Sequence, residues 1–299
     1  MIERILVTGG AGFIGSHLVE ALVARGASVR VLDNLSLGRR EWVHPEAEFI
    51  EGDIRDLDTC MNAVAGCEGV FHMAAMSRSA ASIEAIELCT SVNVLGTQNV
   101  LAAARRSGVR KVVYSGSSTY YGNRPPPHHE DLPGDFLNFY GLSKYVGEEY
   151  CLLFDRLYGV PAVVLRYFNV YGPRQPEEGV YALVLGIFLR RAAQGLPLII
   201  HGSGAQRRDF VHVRDVAAAN IAAYESDVHR VRLNVGSGVS LSVKELADMI
   251  SPNQEFGPRR PADAEVTLAD LSRVRKTIDW EVRVPLSEGI QELRTLAEA

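Results

Sequence analysis

Long hydrophobic runs are missing from this 299-residue sequence. No apolar stretch approaches the roughly 20 residues that a helix needs to cross a bilayer, so no membrane association is expected. Runs of basic residues are missing too. With 31 Lys and Arg against 36 Asp and Glu the net charge is −5, and no cationic stripe appears, so nucleic acid is not an expected partner. Cysteine is sparse. Cys60, Cys67, Cys89 and Cys151 form no C-x-x-C pair and have no zinc-ligand spacing with histidine, so buried reduced thiols are expected and no metal site. The opening MIERILVTGG lacks the basic and long apolar regions of a signal peptide, which makes the cytoplasm the expected location. No repeat or low-complexity segment is present. What remains, 47% hydrophobic and 22% charged residues, is ordinary for a soluble globular enzyme. The length predicts one large or two intimate domains.

The first half alternates short β-branched runs with longer amphipathic stretches. Strands are predicted at Arg4–Thr8, Ser28–Asp33, Glu48–Glu51, Gly69–Met73, Lys111–Ser115 and Ala162–Tyr167. Helices are predicted at Phe13–Arg25, Ala85–Ser107 and Tyr140–Tyr158. Strand–helix alternation of this kind gives an α/β fold with a parallel sheet covered on both faces. After Asn169 the pattern loosens into a loop, a helix from Tyr181 to Gln194, and short elements to the end. Residues 1–168 are read as the cofactor-binding domain. Residues 169–299 are read mainly as a smaller lobe closing over the cleft, with some segments returning to the first domain. Around Met249–Arg260 a helix beginning at Leu241 leaves little room for a helix end, a turn and a strand; either the loop is short or a segment is skipped.

Thr8–Gly15 (TGGAGFIG) follows the first strand and opens the first helix. Gly9, Gly12 and Gly15, with Phe13 and Ile14 between them, let the chain turn tightly, admit a pyrophosphate against the backbone and pack helix on strand. The helix N-terminus then presents free N–H groups to the phosphates. Asp33 ends the second strand, where a carboxylate accepts hydrogen bonds from both ribose hydroxyls and repels a 2′-phosphate, which favours NAD over NADP. Arg39 and Arg40 are the groups that would meet a 2′-phosphate, but they follow Asp33 and read equally as a solvated loop. Asp53 and Ile54 are placed to reach the adenine; for Asp53 a helix N-cap is an equal reading.

Tyr140-Gly141-Leu142-Ser143-Lys144 is Y-x-x-x-K at the start of a predicted helix, with both side chains on one face. A lysine ammonium and an oxidised nicotinamide favour the phenolate, and such a tyrosine takes a proton from a sugar hydroxyl while hydride leaves the same carbon. Ser117, at a serine-rich strand end, is placed to bond the same hydroxyl. Ser118 and Thr119 beside it also read as an ordinary hydroxyl-rich turn.

These segments together resemble the extended short-chain dehydrogenase/reductase family, in its nucleotide-sugar epimerase and dehydratase branch. The resemblance rests on TGGAGFIGSH (8–17), DNLSLG (33–38), GDI (52–54), FHMAA (71–75), SGSSTYYG (115–122), YGLSK (140–144), RYFNVYGPRQ (166–175), RRDFVHVRD (207–215) and NVGSG (234–238). It implies a Rossmann-type doubly wound sheet, retained NAD and a homodimer built on two long helices per subunit. It adds Asn34, Ser36, Gly38, Ala74, Ala75 and Ser115 to the cofactor contacts. It also implies that Ser118 meets the sugar, that Asn169 holds the diphosphate, and that Arg208 and Arg260 clamp phosphate or ribose, a task suited to guanidinium forks. For Arg207 and Arg259 a surface salt bridge reads as well. Glu178–Phe188 resembles the uridine-facing helix of UDP-hexosamine 4-epimerases, so a UDP-sugar is the expected substrate.

Departures from the family pattern carry information. Ser118-Thr119 stands where 4,6-dehydratases carry Asp-Glu and related decarboxylases a Glu. Phe139 precedes the catalytic tyrosine where small residues or proline are usual, and the loop Met76-Ser77-Arg78-Ser79 is unusual. The expectation is a UDP-hexose or UDP-N-acetylhexosamine 4-epimerase. The alternative is a dehydratase that eliminates water across C5–C6, and a non-catalytic NAD sensor ranks third because tyrosine, lysine and serine are all retained.

Overall fold

The computed structural model describes residues 3–77, 79–177, 182–258 and 264–298. Seven strands build its main sheet. β1 (Arg4–Thr8), β2 (Ser28–Asp33), β3 (Glu48–Glu51), β4 (Gly69–His72), β5 (Lys111–Ser117) and β6 (Ala162–Tyr167) come from the first part of the chain, and β10 (Val231–Val235) from the later part. Their order is β10-β6-β5-β4-β1-β2-β3, and every pairing is parallel. Apart from β10 this is the doubly wound Rossmann order. Parallel strands buried on both faces need near-continuous apolar runs, and β6 (AVVLRY) is buried at every position.

Helices α1 (Phe13–Ala24), α2 (Leu57–Val64), α3 (Ser79–Glu84), α4 (Ile86–Thr90), α5 (Thr97–Ser107) and α6 (Phe139–Tyr158) accompany the first six strands. Leu18, Val19 and Leu22 of α1 pack in one core with Val216, Ala217 and Ile221 of a helix from the later part, α8 (Val213–Glu225). The opposite core joins Cys60 and Val64 of α2, Val100 and Leu101 of α5, and Cys151 of α6. Thus residues from 213 to 235 return to the main sheet.

Most of the rest of the later part forms a small unit. β7 (Asn169–Tyr171), β9 (Arg207–His212) and β11 (Ser240–Ser242) form one sheet, and β8 (Leu198–His201) pairs in parallel with β12 (Gln254–Gly257). Around them lie α7 (Val184–Ala193), α9 (Val243–Ile250) and α11 (Leu286–Glu298), whereas α10 (Ser272–Thr277) packs beside β10, with Val274 in the main-sheet core. Phe188, Leu198, Phe210, Leu246 and Ile290 share its core.

Several expectations change in detail. The helix read as Ala85–Ser107 is α4 and α5 joined by a π-helical turn, Ser91–Gly96. β5 runs on to Ser117, and α6 begins at Phe139, capped by Asn138, whose side chain accepts the Gly141 N–H at 2.9 Å. α7 begins at Val184; residues 178–181 lie outside the described residues. The tight stretch after Met249 resolves as a three-residue connection. A capping box of Ser242 and Glu245 starts α9, which ends at Ile250, and β12 begins at Gln254.

Candidate active site

The cofactor end of the cleft is made of backbone. Gly9 has φ 71°, and a Cβ there would stand 2.6 Å from the Ala74 nitrogen. At Gly15 a Cβ would fall 2.1 Å from the Gly9 carbonyl oxygen, so only glycine lets α1 rise this close to β1. Gly12 differs: its Cβ would meet the Gly9 oxygen alone, at 3.2 Å, and no side chain caps the helix it begins. The free amides of the first turn therefore open on the cleft. Asp33 is buried, and each of its oxygens is fixed by a backbone N–H, Ala11 at 3.0 Å and Leu35 at 2.8 Å. Burial pushes its carboxyl up while these two amides hold it down. At the far end Asp53 accepts from the Arg55 guanidinium at 2.7 Å and from Asn34 Nδ2 at 2.9 Å. Arg55 holds its carboxyl down at about 2. Asp53 is not the N-cap of α2; that position is Asp56, which accepts from the Asp58 and Thr59 amides. Arg39 stacks on the Trp42 ring at 5.1 Å and Arg40 on Phe49 at 4.3 Å.

The middle of the cleft is set by β5 and α6. Because β5 continues to Ser117, it carries both Ser115 and Ser117 to the cleft at its carboxyl end. Ser117 Oγ lies 2.8 Å from Thr119 Oγ1 and accepts the Thr119 N–H at 3.3 Å. Tyr140 and Lys144 lie one turn apart on α6, and both line the cleft. The Tyr140 amide donates to Ser82 Oγ at 3.0 Å, which pins the first turn of α6 to α3. Lys144 is 2% exposed, and its ammonium sits 4.3 Å over the Tyr114 ring. Burial pushes it down to about 8, against the opposing pull of Cys151, Glu148 and Cys89.

On the substrate side Asn169 Oδ1 accepts from Thr267 Oγ1 at 3.2 Å, and Arg208 Nη1 donates to the Arg207 and Glu265 carbonyls at 2.8 and 3.4 Å. Arg207 pairs with Glu245 at 3.2 Å. Met76, Ser77, Leu88, Val92 and Leu137 give the wall near Tyr140 a mixed apolar and hydroxyl character. The cleft encloses about 1200 Å³, and every described cofactor, catalytic and substrate residue named from the sequence lines it. Arg260, with Arg259 and Arg78, lies outside the described residues.

Comparison with known proteins accords with this geometry. The family model described as the NAD dependent epimerase/dehydratase family matches residues 5–236. A putative UDP-glucose 4-epimerase of Methanocaldococcus jannaschii is 41% identical over 302 residues, covering 97% of this chain and 96% of that one. The chain belongs to the NAD dependent epimerase/dehydratase family. Another relative, a UDP-N-acetyl-alpha-D-glucosaminuronate decarboxylase of Bacillus cytotoxicus, is 39% identical over 315 residues, 98% of this chain and 97% of that one. Among solved structures, a UDP-glucose 4-epimerase of Thermotoga maritima with UDP-glucose superposes with a TM-score of 0.94 at 34% identity, covering 98% of this chain and 99% of that one.

The residues present fit the dinucleotide of the epimerase/dehydratase family. Gly9 and Gly15 are close contacts that a Cβ would break, and Gly12 leaves its side of the turn open for a pyrophosphate. Reading the sequence did not single out Thr119, Arg174, Gln175, Glu177 or Thr267 as site residues, yet all line the cleft. Arg174 and Gln175 stood in plain view in the GPRQ segment. The left-handed backbone of Arg174, φ 64°, and its ion pair with Glu20 of α1 left no mark there.

Proposed function

We propose that the chain is an NAD-dependent UDP-sugar 4-epimerase that works through a 4-keto sugar. The observation that carries this reading is that Ser117, Tyr140 and Lys144 line one cleft with the glycine turn and Asp33. Bound NAD supplies the hydride acceptor and, on return, the hydride donor. The chain does the rest. The Tyr140 phenolate removes the proton of the C4 hydroxyl, and the Lys144 ammonium one turn on favours that phenolate. Ser117 bonds the same oxygen, with Thr119 holding the serine hydroxyl from behind. Asn169 and Arg208 hold the diphosphate end; rotation of the keto sugar about that anchor presents its other face, and Tyr140 returns the proton. The proposed division of labour assigns residues 1–168 to the cofactor and most of 169–299 to the nucleotide-sugar.

A second reading, a C5–C6 dehydratase, is favoured by Glu177, a carboxylate in the substrate wall of the cleft beside Gln175 and α7. Elimination needs a base for the C5 proton and an acid for the departing C6 hydroxyl, and Ser118-Thr119 provides no carboxylate. Incubation with UDP-glucose and UDP-N-acetylglucosamine in heavy water, followed by mass analysis, tests both. An isomer of unchanged mass without deuterium at C5 supports the epimerase. A product lighter by one water, or deuterium at C5, replaces it with the lyase.

We further propose a homodimer in the cytoplasm. Ile86, Leu95, Leu142, Leu153 and Leu157 leave apolar surface exposed on the α4–α5 and α6 helices, as a self-complementary helical face would. The four cysteines are free and buried, and no helix of the described residues is long and apolar enough to cross a membrane. Sedimentation of the purified chain tests the dimer.

A further inference from the structure

A buried polar chain runs from the glycine turn to the catalytic helix, and the chemistry above does not use it. Thr8, the residue before Gly9, has its hydroxyl 2.7 Å from His72 Nδ1, and it also accepts the Ala74 N–H at 3.3 Å. His72 Nε2 lies 3.0 Å from Thr97 Oγ1, which donates to the Asn93 carbonyl at 2.6 Å. Asn93 then branches. Its Oδ1 accepts the Met76 N–H at 2.8 Å, while Nδ2 donates to the Met76 carbonyl at 3.0 Å and to Ser143 Oγ at 2.9 Å. Ser143 donates in turn to the Tyr140 carbonyl at 2.9 Å. Thr8, His72, Thr97, Asn93 and Ser143 are all buried.

Donor counting fixes the direction of this chain. Thr97 spends its single proton on Asn93, so it must accept from His72, which makes Nε2 the protonated nitrogen. His72 Nδ1 is then an acceptor and takes the Thr8 proton, leaving Thr8 oxygen to accept from Ala74. The Thr97, His72 and Thr8 protons are each used once. A neutral imidazole is required, and burial, helped by the Lys144 charge, keeps His72 neutral by pushing it down to about 3. The π-helical turn Ser91–Gly96 contains Asn93; such turns shift the backbone register of a helix and recur at functional sites. Here the shifted segment ties the cofactor turn, the Met76 loop after β4 and the Tyr140 turn together.

We infer that His72 and Thr97 are positioning residues, a bridge that fixes the Tyr140–Lys144 helix relative to the dinucleotide turn and the sugar-facing Met76. The inference rests on the proposed use of Tyr140 as the proton acceptor. A fully satisfied buried network specifies one arrangement, and losing one member leaves its neighbours unpaired. A reacting group displaced by about 1 Å can lose on the order of a hundredfold in rate, so a bridge of this kind acts on turnover rather than on affinity.

The test uses the full chain with its retained NAD and three variants: Thr97→Val, which removes the hydroxyl at nearly constant shape, Thr97→Ser, which restores it, and His72→Gln in case Thr97→Val does not fold. For Thr97→Val, or for His72→Gln in its place, kcat on the UDP-sugar the wild type turns over should fall about tenfold or more, with KM within about twofold, NAD retained, and Thr97→Ser close to wild type. A folded variant with wild-type kcat, or a Thr97→Ser as slow as Thr97→Val, overturns the bridge. A sugar-free readout keeps it separable from the proposed activity. The Tyr140 phenol is titrated by ultraviolet difference absorbance against Tyr140→Phe, with NAD present and stripped. NAD should lower that titration in the wild type and lower it less in Thr97→Val; equal shifts in both overturn the bridge even if no sugar is turned over. Absence of wild-type turnover counts only against the epimerase and lyase readings.

Discussion

The two ends of the cleft are built from different materials. At the proposed cofactor end the lining is mostly main chain: three glycines, the uncapped amides of α1, and an aspartate locked by two backbone N–H groups. At the proposed substrate end the lining is side chains, among them Asn169, Arg208 and Thr267, brought from separate segments. Backbone contacts depend on the fold and cannot be retuned one residue at a time. Side-chain contacts can. Relatives of this chain at similar identity carry names as different as 4-epimerase and decarboxylase.

Between the two ends the contrast should be sharpest at the chemistry itself. Tyr140→Phe keeps the ring and removes the proton acceptor, so turnover should fall on the order of a thousandfold while UDP binding by calorimetry hardly changes. Near wild-type turnover would remove Tyr140 from the proposed role.

At the cofactor end, Gly15→Ala forces a Cβ onto the Gly9 carbonyl and should cost roughly 3 kcal/mol of stability as an overpacked contact, with retained NAD lost. Gly12→Ala has only the 3.2 Å contact, so it should melt close to wild type yet bind NAD poorly. If both variants melted alike and kept NAD, the backbone account of this end would be broken.

At the substrate end, Arg208→Ala removes one half-buried guanidinium. The expected loss is roughly 2 kcal/mol of UDP affinity, the low end for a paired charge, with NAD retention and melting unchanged. Unchanged UDP affinity in calorimetry would contradict the clamp. Asp33→Ala sits between the two classes, a side chain acting through backbone. It should weaken NAD by roughly 1.5 kcal/mol, as for loss of hydrogen bonds to a charged group, and narrow the advantage over NADP. Tighter NADP than NAD binding by the wild type, measured after stripping, would reverse the reading of this loop.

What could be read from the sequence divides along the same line. The glycine spacing is legible because backbone approach leaves one permitted residue type, and β1, β2 and β6 are legible because their buried faces demand apolar runs. Tyr140 and Lys144 are legible because a helix fixes the spacing of two residues on one face. The π-helical turn at Ser91–Gly96 was not, since a one-residue slip of hydrogen bonds changes no composition. Ser117 lay beyond the predicted end of β5 because Gly116 and Ser117 carry weak strand preference, and pairing with Gly116↔Arg166 and Ser117↔Tyr167 overrides it. Thr119, Glu177 and Thr267 were missed because their place depends on how separate loops meet, which no local pattern encodes.

The smallest effect is expected at Arg55, and it is the finest probe of the comparison. Arg55 is a side chain at the backbone-built end, paired with Asp53 at 2.7 Å, but its own side chain is 42% exposed. Water screens such a pair, so Arg55→Ala should cost well under about 1 kcal/mol of stability. The pH dependence has a definite sign. Asp53 is depressed to about 2 from 3.8, so what the pair contributes is present above 3.8 and is lost as pH falls through about 2. Without Arg55 the Asn34 amide and the residue 55 N–H still bond Asp53, and the wild-type advantage should vanish only in that acid window. NAD affinity should weaken less than for Asp33→Ala, because the adenosine end would keep its backbone frame. Melting curves from pH 2 to pH 5 and an NAD titration at neutral pH check both statements. A loss of NAD affinity as large as that of Gly12→Ala would show that side chains govern this end as much as backbone does, and the distinction between the two ends would fail.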